Sequence, residues 1–180
     1  MRPLTKVLAA GSIIIAIFCV SFAFFYKRAQ KNLPKKPLIL TSAVINQPLP
    51  KANLVNISGK LLDDEKLRRG KVVLVFTLTT CQLCDQENDF LKTVVGSRKD
   101  VSCFYVIPFG NKDEVLRSAQ SKYAFETFFD QGSMLSKSLE VYQVPIAVFL
   151  EDGTIKKTWL EGARVDNQGQ DEFTPWLSSL

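Results

Sequence analysis

The segment from Lys71 to Val95 places two cysteines where a predicted strand meets a predicted helix. Residues 72–76 form an apolar, largely β-branched run, which is typical of a strand buried on both faces. Further along, apolar residues recur at helical spacing and predict one buried helix face. They are Leu83, Phe90, Leu91, Val94 and Val95. Cys81 and Cys84 stand between the two patterns.

The cysteines form a C-x-x-C motif, Cys81-Gln82-Leu83-Cys84, at the predicted start of the helix. Residues three apart near a helix start lie on the same side, so their sulfurs can form a disulfide. The free N–H groups of the first turn favour a thiolate at Cys81. Cys84 lies inside the helix, where it can attack a mixed disulfide formed by Cys81. The motif therefore predicts dithiol–disulfide exchange, with Cys81 and Cys84 as catalytic residues.

Three acids in the first turns of this helix oppose the thiolate. Asp85, Glu87 and Asp89 follow the second cysteine closely, and their negative charge acts through space on the pair. We expect a thiolate that is only modestly favoured at Cys81, which argues against a strongly oxidising pair.

Two motifs together resemble the thioredoxin-like superfamily. The first is Val-Val-Leu-Val-Phe followed by C-x-x-C; the second is the stretch 141–155, VYQVPIAVFLEDGTI, which is similar to the family segment with a cis-proline before a strand and a D-G turn. The resemblance covers roughly residues 53–180, and Gly70-Lys71 with the N-terminal segment points to the membrane-anchored TlpA-type thiol–disulfide oxidoreductase (redoxin) branch.

The resemblance implies a three-layer α/β fold with a central mixed β-sheet and a cis bond between Val144 and Pro145. It also implies substrate contacts from Thr80, Gln82, Leu83, Val144 and Pro145, with no organic cofactor and no metal. The chain departs from the family pattern at three places, of which one is the pair between the cysteines, Gln82-Leu83 in place of Gly-Pro or Pro-His. Thr80 stands where Trp often precedes the first cysteine, and Val75 stands where thioredoxin has a buried acid. The sequence therefore identifies no proton acceptor for Cys84.

Other uses of the pair fit less well. A permanent structural disulfide across so short a loop would gain little chain entropy. A metal half-site would lack two further ligands, because the chain has no histidine, Cys19 lies in an apolar segment and Cys103 lies in a predicted strand, where a buried inert thiol is expected. A peroxiredoxin site would need Pro and Thr where Leu74 and Leu78 stand.

The N-terminus carries an uncharged apolar segment at residues 7–26, long enough to span a bilayer as a helix. The alternative is a cleaved signal peptide, for which the run is long. Four of the eight prolines fall between residues 32 and 53. We predict a membrane anchor at 1–31, with a transmembrane helix at about 7–26, a Pro-rich linker at 32–52, and a thioredoxin-like domain at 53–180.

Charge bears on orientation and on partners. Two basic residues precede the apolar segment and five follow it, a count that by itself favours a cytoplasmic domain. The family resemblance implies the opposite, extracytoplasmic or periplasmic side, and we adopt that side.

The net charge of +5 belongs to the N-terminus, since the chain after residue 36 has sixteen basic and eighteen acidic residues. A lipid bilayer is thus the expected partner of the basic segment, and nucleic acid is not expected.

Outside the motifs, the patterns predict strands at 54–57, 101–107, 124–130, 146–150 and 155–160. They predict helices at 112–123, 132–142 and 172–180, with a short turn of helix within 61–69. Strands alternating with helices and ending in a hairpin indicate the mixed-sheet α/β class.

The expected function is a membrane-anchored thiol–disulfide oxidoreductase acting on protein thiols and disulfides, reset by a membrane electron-transfer partner. Two alternatives remain open at this point. One is a redox-inert thioredoxin-like binding module at the membrane, and the other is an accessory factor for maturation of one specific enzyme or cytochrome.

Overall fold

The computed structural model describes residues 44–160, Gly162 and residues 173–178, without the side chain of Trp176. The predicted transmembrane helix at 7–26, most of the linker, and Cys19 lie outside the described residues. Within the described part of the chain, no helix combines the length and apolar character needed to cross a membrane.

A six-stranded mixed sheet forms the centre of the domain. Its strands are β1 (Leu54–Val55), β2 (Lys71–Phe76), β3 (Val101–Ile107), β4 (Thr127–Asp130), β5 (Ile146–Glu151) and β6 (Thr154–Trp159). The order across the sheet is β1-β4-β3-β2-β5-β6. Strands β2, β3 and β4 run parallel, whereas β1, β5 and β6 each pair antiparallel with a neighbour. The predicted mixed-sheet α/β class is confirmed.

Five helices accompany the sheet in the described residues. They are α1 (Glu65–Arg68), α2 (Gln82–Val94), α3 (Lys112–Lys122), α4 (Met134–Ser138) and α5 (Phe173–Ser178), with a 3₁₀ turn at Gln131–Ser133 before α4. Leu67 of α1 and Leu135 of α4 join the core on one face of the sheet. Leu91 of α2, Ala119 of α3 and Phe173 of α5 join the core on the other.

Strand β2 explains why the apolar run that precedes the cysteines is continuous. Val72, Leu74 and Phe76 enter the core on one face, and Val73 and Val75 enter the core on the other. Because successive side chains of a strand point to opposite faces, a strand covered by helices on both sides has no polar positions. Strand β2 is therefore fixed at the centre of the sheet, and its carboxyl end fixes the position of Cys81.

The hairpin between β5 and β6 forms at the predicted D-G turn. Asp152 and Gly153 both have positive φ, 48° and 74°, as a two-residue hairpin turn that follows the strand twist requires. The Asp152 side chain also accepts a hydrogen bond from Gly70 N, 2.8 Å away, just before β2. The turn thus helps to fix where β2 begins.

The structure differs from the sequence predictions at several boundaries. The leading strand ends at Val55, β4 begins only at Thr127, and the helix expected at 132–142 is a 3₁₀ turn followed by α4. Within that turn Gly132 and Ser133 have positive φ, so no regular helix runs from the turn into α4. The part of the predicted linker that is described also packs on the domain, because Leu49 is 2% exposed and Asn46 N donates to Ile155 O of β6.

Candidate active site at the start of helix α2

The cysteine pair lies just beyond the carboxyl end of β2. After Phe76 the chain leaves the sheet at Thr77, whose N–H still donates to Val106 O of β3, and it turns so that Cys81 N donates to Leu78 O. Helix α2 then begins at Gln82, with Cys81 as its N-cap. The backbone N–H of Cys84 donates to Cys81 Sγ over 3.1 Å, so one N–H group of the first turn faces this sulfur.

Cys81 and Cys84 form a disulfide, with their Cα atoms 5.2 Å apart. The two residues differ in exposure: Cys84 is 1% exposed, whereas Cys81 is partly exposed. In an exchange reaction an external sulfur can approach Cys81 and is kept from Cys84. The geometry of the pair therefore fits an outer reacting cysteine and an inner resolving one.

The Val144–Pro145 peptide bond is cis, which confirms the sequence prediction. Pro145 directly precedes β5, and Ile146 of β5 pairs with Phe76, the last residue of β2. Pro145 is consequently at the same end of the sheet as the cysteine turn. Pro145 itself is buried, whereas Val144 is partly exposed and can offer its backbone to a bound chain.

The residues expected to contact substrate beside the cysteines lie at the surface. Thr80 and Gln82 are exposed, and Leu83 is 55% exposed. The spacing suggested that Leu83 belongs to the buried face of α2, but in the first turn of the helix Cys84 takes the buried position and Leu83 lies at the surface. Its exposure leaves it open to contact by a partner. The roles of these residues in substrate contact stay predictions.

The acids of α2 do not share one environment. The buried residues of this helix are Cys84, Glu87, Asn88 and Leu91, spaced as one helical face. Glu87 is 1% exposed, whereas Asp89 is exposed and Asp85 is intermediate. The sequence grouped the three acids together and missed Glu87 as a buried group. The sequence does contain a signal for its burial, because Glu87 follows Cys84 by three residues and precedes Leu91 by four, which places the three on one helical face.

The loop before Cys81 is held by the carboxyl end of α3, which the sequence did not connect with the site. The Tyr123 hydroxyl accepts a hydrogen bond from Thr77 Oγ1 and donates one to Leu78 O, each over 2.9 Å. Burial raises the pKa of Tyr123, so the phenol stays protonated and can donate. Next to it, Lys122 Nζ lies 2.5 Å from Thr79 O and 2.6 Å from Asp85 Oδ1.

The remaining described cysteine is inert. Cys103 lies on β3, is 7% exposed and is free of any disulfide. Burial, with a smaller effect from Glu87, raises the pKa of its thiol far above the usual range. Because a thiol of this kind is not ionised near neutral pH, the expectation of a buried, unreactive cysteine is confirmed.

A mixed sheet with a C-x-x-C disulfide at the start of a helix, and a cis-proline at the same end of the sheet, characterises thioredoxin-like thiol–disulfide oxidoreductases. The fold and the enzyme class that the sequence predicts are confirmed by this geometry and by the following similarities. No model of a protein family matches the chain.

The sequence is similar to the thiol:disulfide interchange protein DsbE of Escherichia coli strain K12. The two are 28% identical over 149 residues, which cover 78% of this chain and 77% of the relative. Among solved structures, the thioredoxin domain of a thiol-disulfide oxidoreductase from Bacteroides vulgatus superposes with a TM-score of 0.61 at 11% identity, covering 75% of this chain and 96% of that one. A secreted Mycobacterium tuberculosis disulfide oxidoreductase homologous to E. coli DsbE gives a TM-score of 0.58 at 21% identity, covering 71% and 94%.

Proposed function

We propose that this protein is a membrane-anchored thiol–disulfide oxidoreductase that exchanges disulfides with protein cysteines outside the cytoplasm. The observation that carries the proposal is the Cys81–Cys84 disulfide at the N-terminus of α2, with one cysteine partly exposed and the other buried. The similarity to a thiol:disulfide interchange protein supports the same chemistry. A redox-inert binding module would not need this difference in exposure.

The reaction begins with the reduced protein. The Cys81 thiolate attacks one sulfur of a substrate disulfide, a mixed disulfide forms, and the other substrate sulfur leaves as a thiolate that takes up a proton. Cys84 then loses its proton and attacks Cys81 Sγ, which releases the second substrate thiol. Two electrons pass from the protein to the substrate, and the protein is left with the Cys81–Cys84 disulfide. The same steps in reverse oxidise a substrate dithiol.

The second step needs a group that takes the proton of Cys84. Val75 is buried and apolar at the position where thioredoxin carries an acid, but Glu87 offers a buried carboxylate one helical turn beyond Cys84 on the same face. We assign the role of proton acceptor to Glu87. This role belongs to the resolving step only, because the first attack uses a thiolate at the helix N-terminus.

Thr80, Gln82 and Leu83 would contact the substrate beside the pair, and the backbone of Val144 next to Pro145 would pair with an extended substrate segment. A second dithiol protein must restore the pair after each turnover, and a membrane electron-transfer protein would serve. Residues 7–26 would anchor the chain in the bilayer, and the Pro-rich segment predicted at residues 32–52 would link the anchor to the domain.

The order of cysteine reactivity tests the proposal. In the reduced protein, Cys81 should be alkylated well before Cys84, as followed by mass spectrometry of timed samples. Cys84→Ser should accumulate mixed disulfides with cellular proteins, and Cys81→Ser, its matched control, should not. Equal labelling of the two cysteines, or a Cys84→Ser chain that traps nothing, would contradict the proposed roles.

A further inference from the structure

Helix α3 brings a cation to the active site. Lys122 is the last residue of α3, and its ammonium group joins two parts of the site. It lies 2.5 Å from the carbonyl oxygen of Thr79, two residues before Cys81, and 2.6 Å from Oδ1 of Asp85, the residue after Cys84. The cation thus bridges the loop that enters the C-x-x-C motif and the helix turn that leaves it.

The bridge is partly shielded from water. The side chain of Lys122 is 29% exposed and that of Asp85 is 45% exposed. The ammonium also lies 5.9 Å from the centroid of the Tyr123 ring, whose hydroxyl binds the same loop. Screening by solvent is incomplete in such a setting, so the charges of both groups act on the neighbouring sulfurs.

We infer that Lys122 is a positioning residue that offsets the negative charge of Asp85 and so favours the Cys81 thiolate. The inference rests on the proposed function, because it concerns the nucleophile assigned there. Without Lys122, Asp85 would stand as an uncompensated anion beside the pair and would disfavour a second negative charge on sulfur. Among the described residues, the charged or titratable groups on the elements packed around this region are Lys122, Asp85, Glu87, Asp89, Lys92 and Tyr123, together with the N-terminus of α2.

The direction of the effect on redox equilibrium follows from the same charges. Stabilising the thiolate stabilises the reduced protein, which makes the disulfide easier to reduce. Lys122 therefore moves the equilibrium of protein disulfide plus two glutathione molecules toward protein dithiol plus glutathione disulfide. The negative charge of Asp85, which by sequence alone disfavours a thiolate, is in this way partly compensated by a residue from a different helix.

Four variants of the full chain test the inference by two readouts, the midpoint of the pH profile of Cys81 alkylation and the glutathione equilibrium at pH 8. Lys122→Met should raise the midpoint by about 0.5 pH units and disfavour the reduced protein by up to about threefold. Asp85→Asn should shift both readouts in the opposite direction, because Lys122 then acts alone. The double variant should return close to the wild type, and Lys122→Arg should keep wild-type behaviour.

The matched control is Lys112→Met, which removes the same charge from the other end of α3, roughly 15 Å away along the helix. Lys112 likewise lies near an acid, 3.6 Å from Asp113. A loss of folding would not produce shifts of opposite sign in Lys122→Met and Asp85→Asn. If Lys122→Met does not fold, Asp85→Asn still tests the inference, because it leaves Lys122 in place. If Cys81 is alkylated first but Lys122→Met and Asp85→Asn behave like Lys112→Met, this inference alone is overturned. If Cys81 of the wild type is not alkylated before Cys84, the proposed function fails and the inference falls with it.

Discussion

Single residues at the edge of the site fix where its elements can lie. Glu87 of α2 is buried against the backbone at Gly162, which has a φ of 86°. A Cβ atom at Gly162 would lie 2.6 Å from Glu87 Cδ, well inside van der Waals contact. Glycine is needed there for two reasons, the left-handed backbone and the approach of a carboxylate.

We predict that Gly162→Ala destabilises the domain more than the positive φ alone can explain. Gly59→Ala is the matched control, since Gly59 has a φ of 78° and no atom lies within 4 Å of the place that its Cβ would take. The control should cost about 1 kcal/mol through backbone strain, and Gly162→Ala should cost at least about 2 kcal/mol because Glu87 must also move. Urea unfolding of both variants measures the difference, and equal losses would argue against a close Glu87 contact.

A second residue, Cys103, should make the domain sensitive to alkali. Burial raises the pKa of its thiol from the usual 9.0, and burial likewise raises the pKa of Tyr105 from 10.0. The folded chain therefore holds these protons more tightly than the unfolded chain. These two groups therefore cost the domain no stability below about pH 9, and the free energy of unfolding should fall as the pH rises beyond it.

Cys103→Val removes the thiol with little change in volume, so the fall in unfolding free energy between pH 9 and 10 should become smaller. Denaturant unfolding at a series of pH values measures the slope. An unchanged slope in Cys103→Val would show that the thiol does not ionise on unfolding in this range.

At the scale of elements, short helices depend on the caps that side chains provide. Asp130, at the end of β4, is fully buried and its carboxylate accepts hydrogen bonds from Leu135 N, Ser136 N and Ser136 Oγ. It thereby satisfies the first turn of α4, a helix of five residues that could not persist without tertiary support. Helix α4 in turn covers the sheet with Leu135, close in sequence to the cis-proline segment.

We predict that Asp130→Ala lowers the free energy of unfolding by about 2–3 kcal/mol, because it leaves buried donors without an acceptor. Asn111→Ala is the matched control at an exposed cap, where Asn111 Oδ1 accepts from Asp113 N and Glu114 N. The control should cost about 1 kcal/mol, since water can replace the lost acceptor. Thermal or urea unfolding compares the two, and an Asp130→Ala loss no greater than that of the control would contradict the assigned role.

At the scale of the whole molecule, the proposed function needs the catalytic domain to be held at a membrane on its outer side. The uncharged run at residues 7–26 supports the anchor, and the basic residues after it would lie near anionic headgroups. The same basic residues count against an outward orientation by the positive-inside rule. The two orientations differ in a measurable way.

We expect the full chain to stay with membranes through an alkaline carbonate wash, and a chain that starts at residue 32 to be released. Protease added to intact spheroplasts should digest the domain, as detected with an antibody against its C-terminus. Protection in intact spheroplasts, with digestion only after lysis, would place the domain in the cytoplasm. A cytoplasmic marker protein that stays intact serves as the control.

Local pattern was enough to predict the framework of the active site. The run at 72–76, the helical spacing after Cys84 and the D-G turn each act through neighbours in the chain, so β2, α2 and the β5–β6 hairpin follow from sequence alone. Their order then indicated the mixed sheet, and the motif at residues 141–155 predicted the cis bond at Pro145. The strand, the helix, the hairpin and their order depend on periodicity and turn chemistry, which a single sequence displays, whereas the cis bond was implied by the resemblance to a family.

Tertiary packing decided the electrostatics of the site. Lys122 and Tyr123 stand 43 and 45 residues from the carbonyl groups that they bind, and nothing in local sequence links them. The burial of Glu87 and the pairing of Asp85 separate acids that look equivalent along the chain. Sequence periodicity reports which face of an element is apolar, but the charge that a sulfur experiences depends on which distant groups the fold brings beside it.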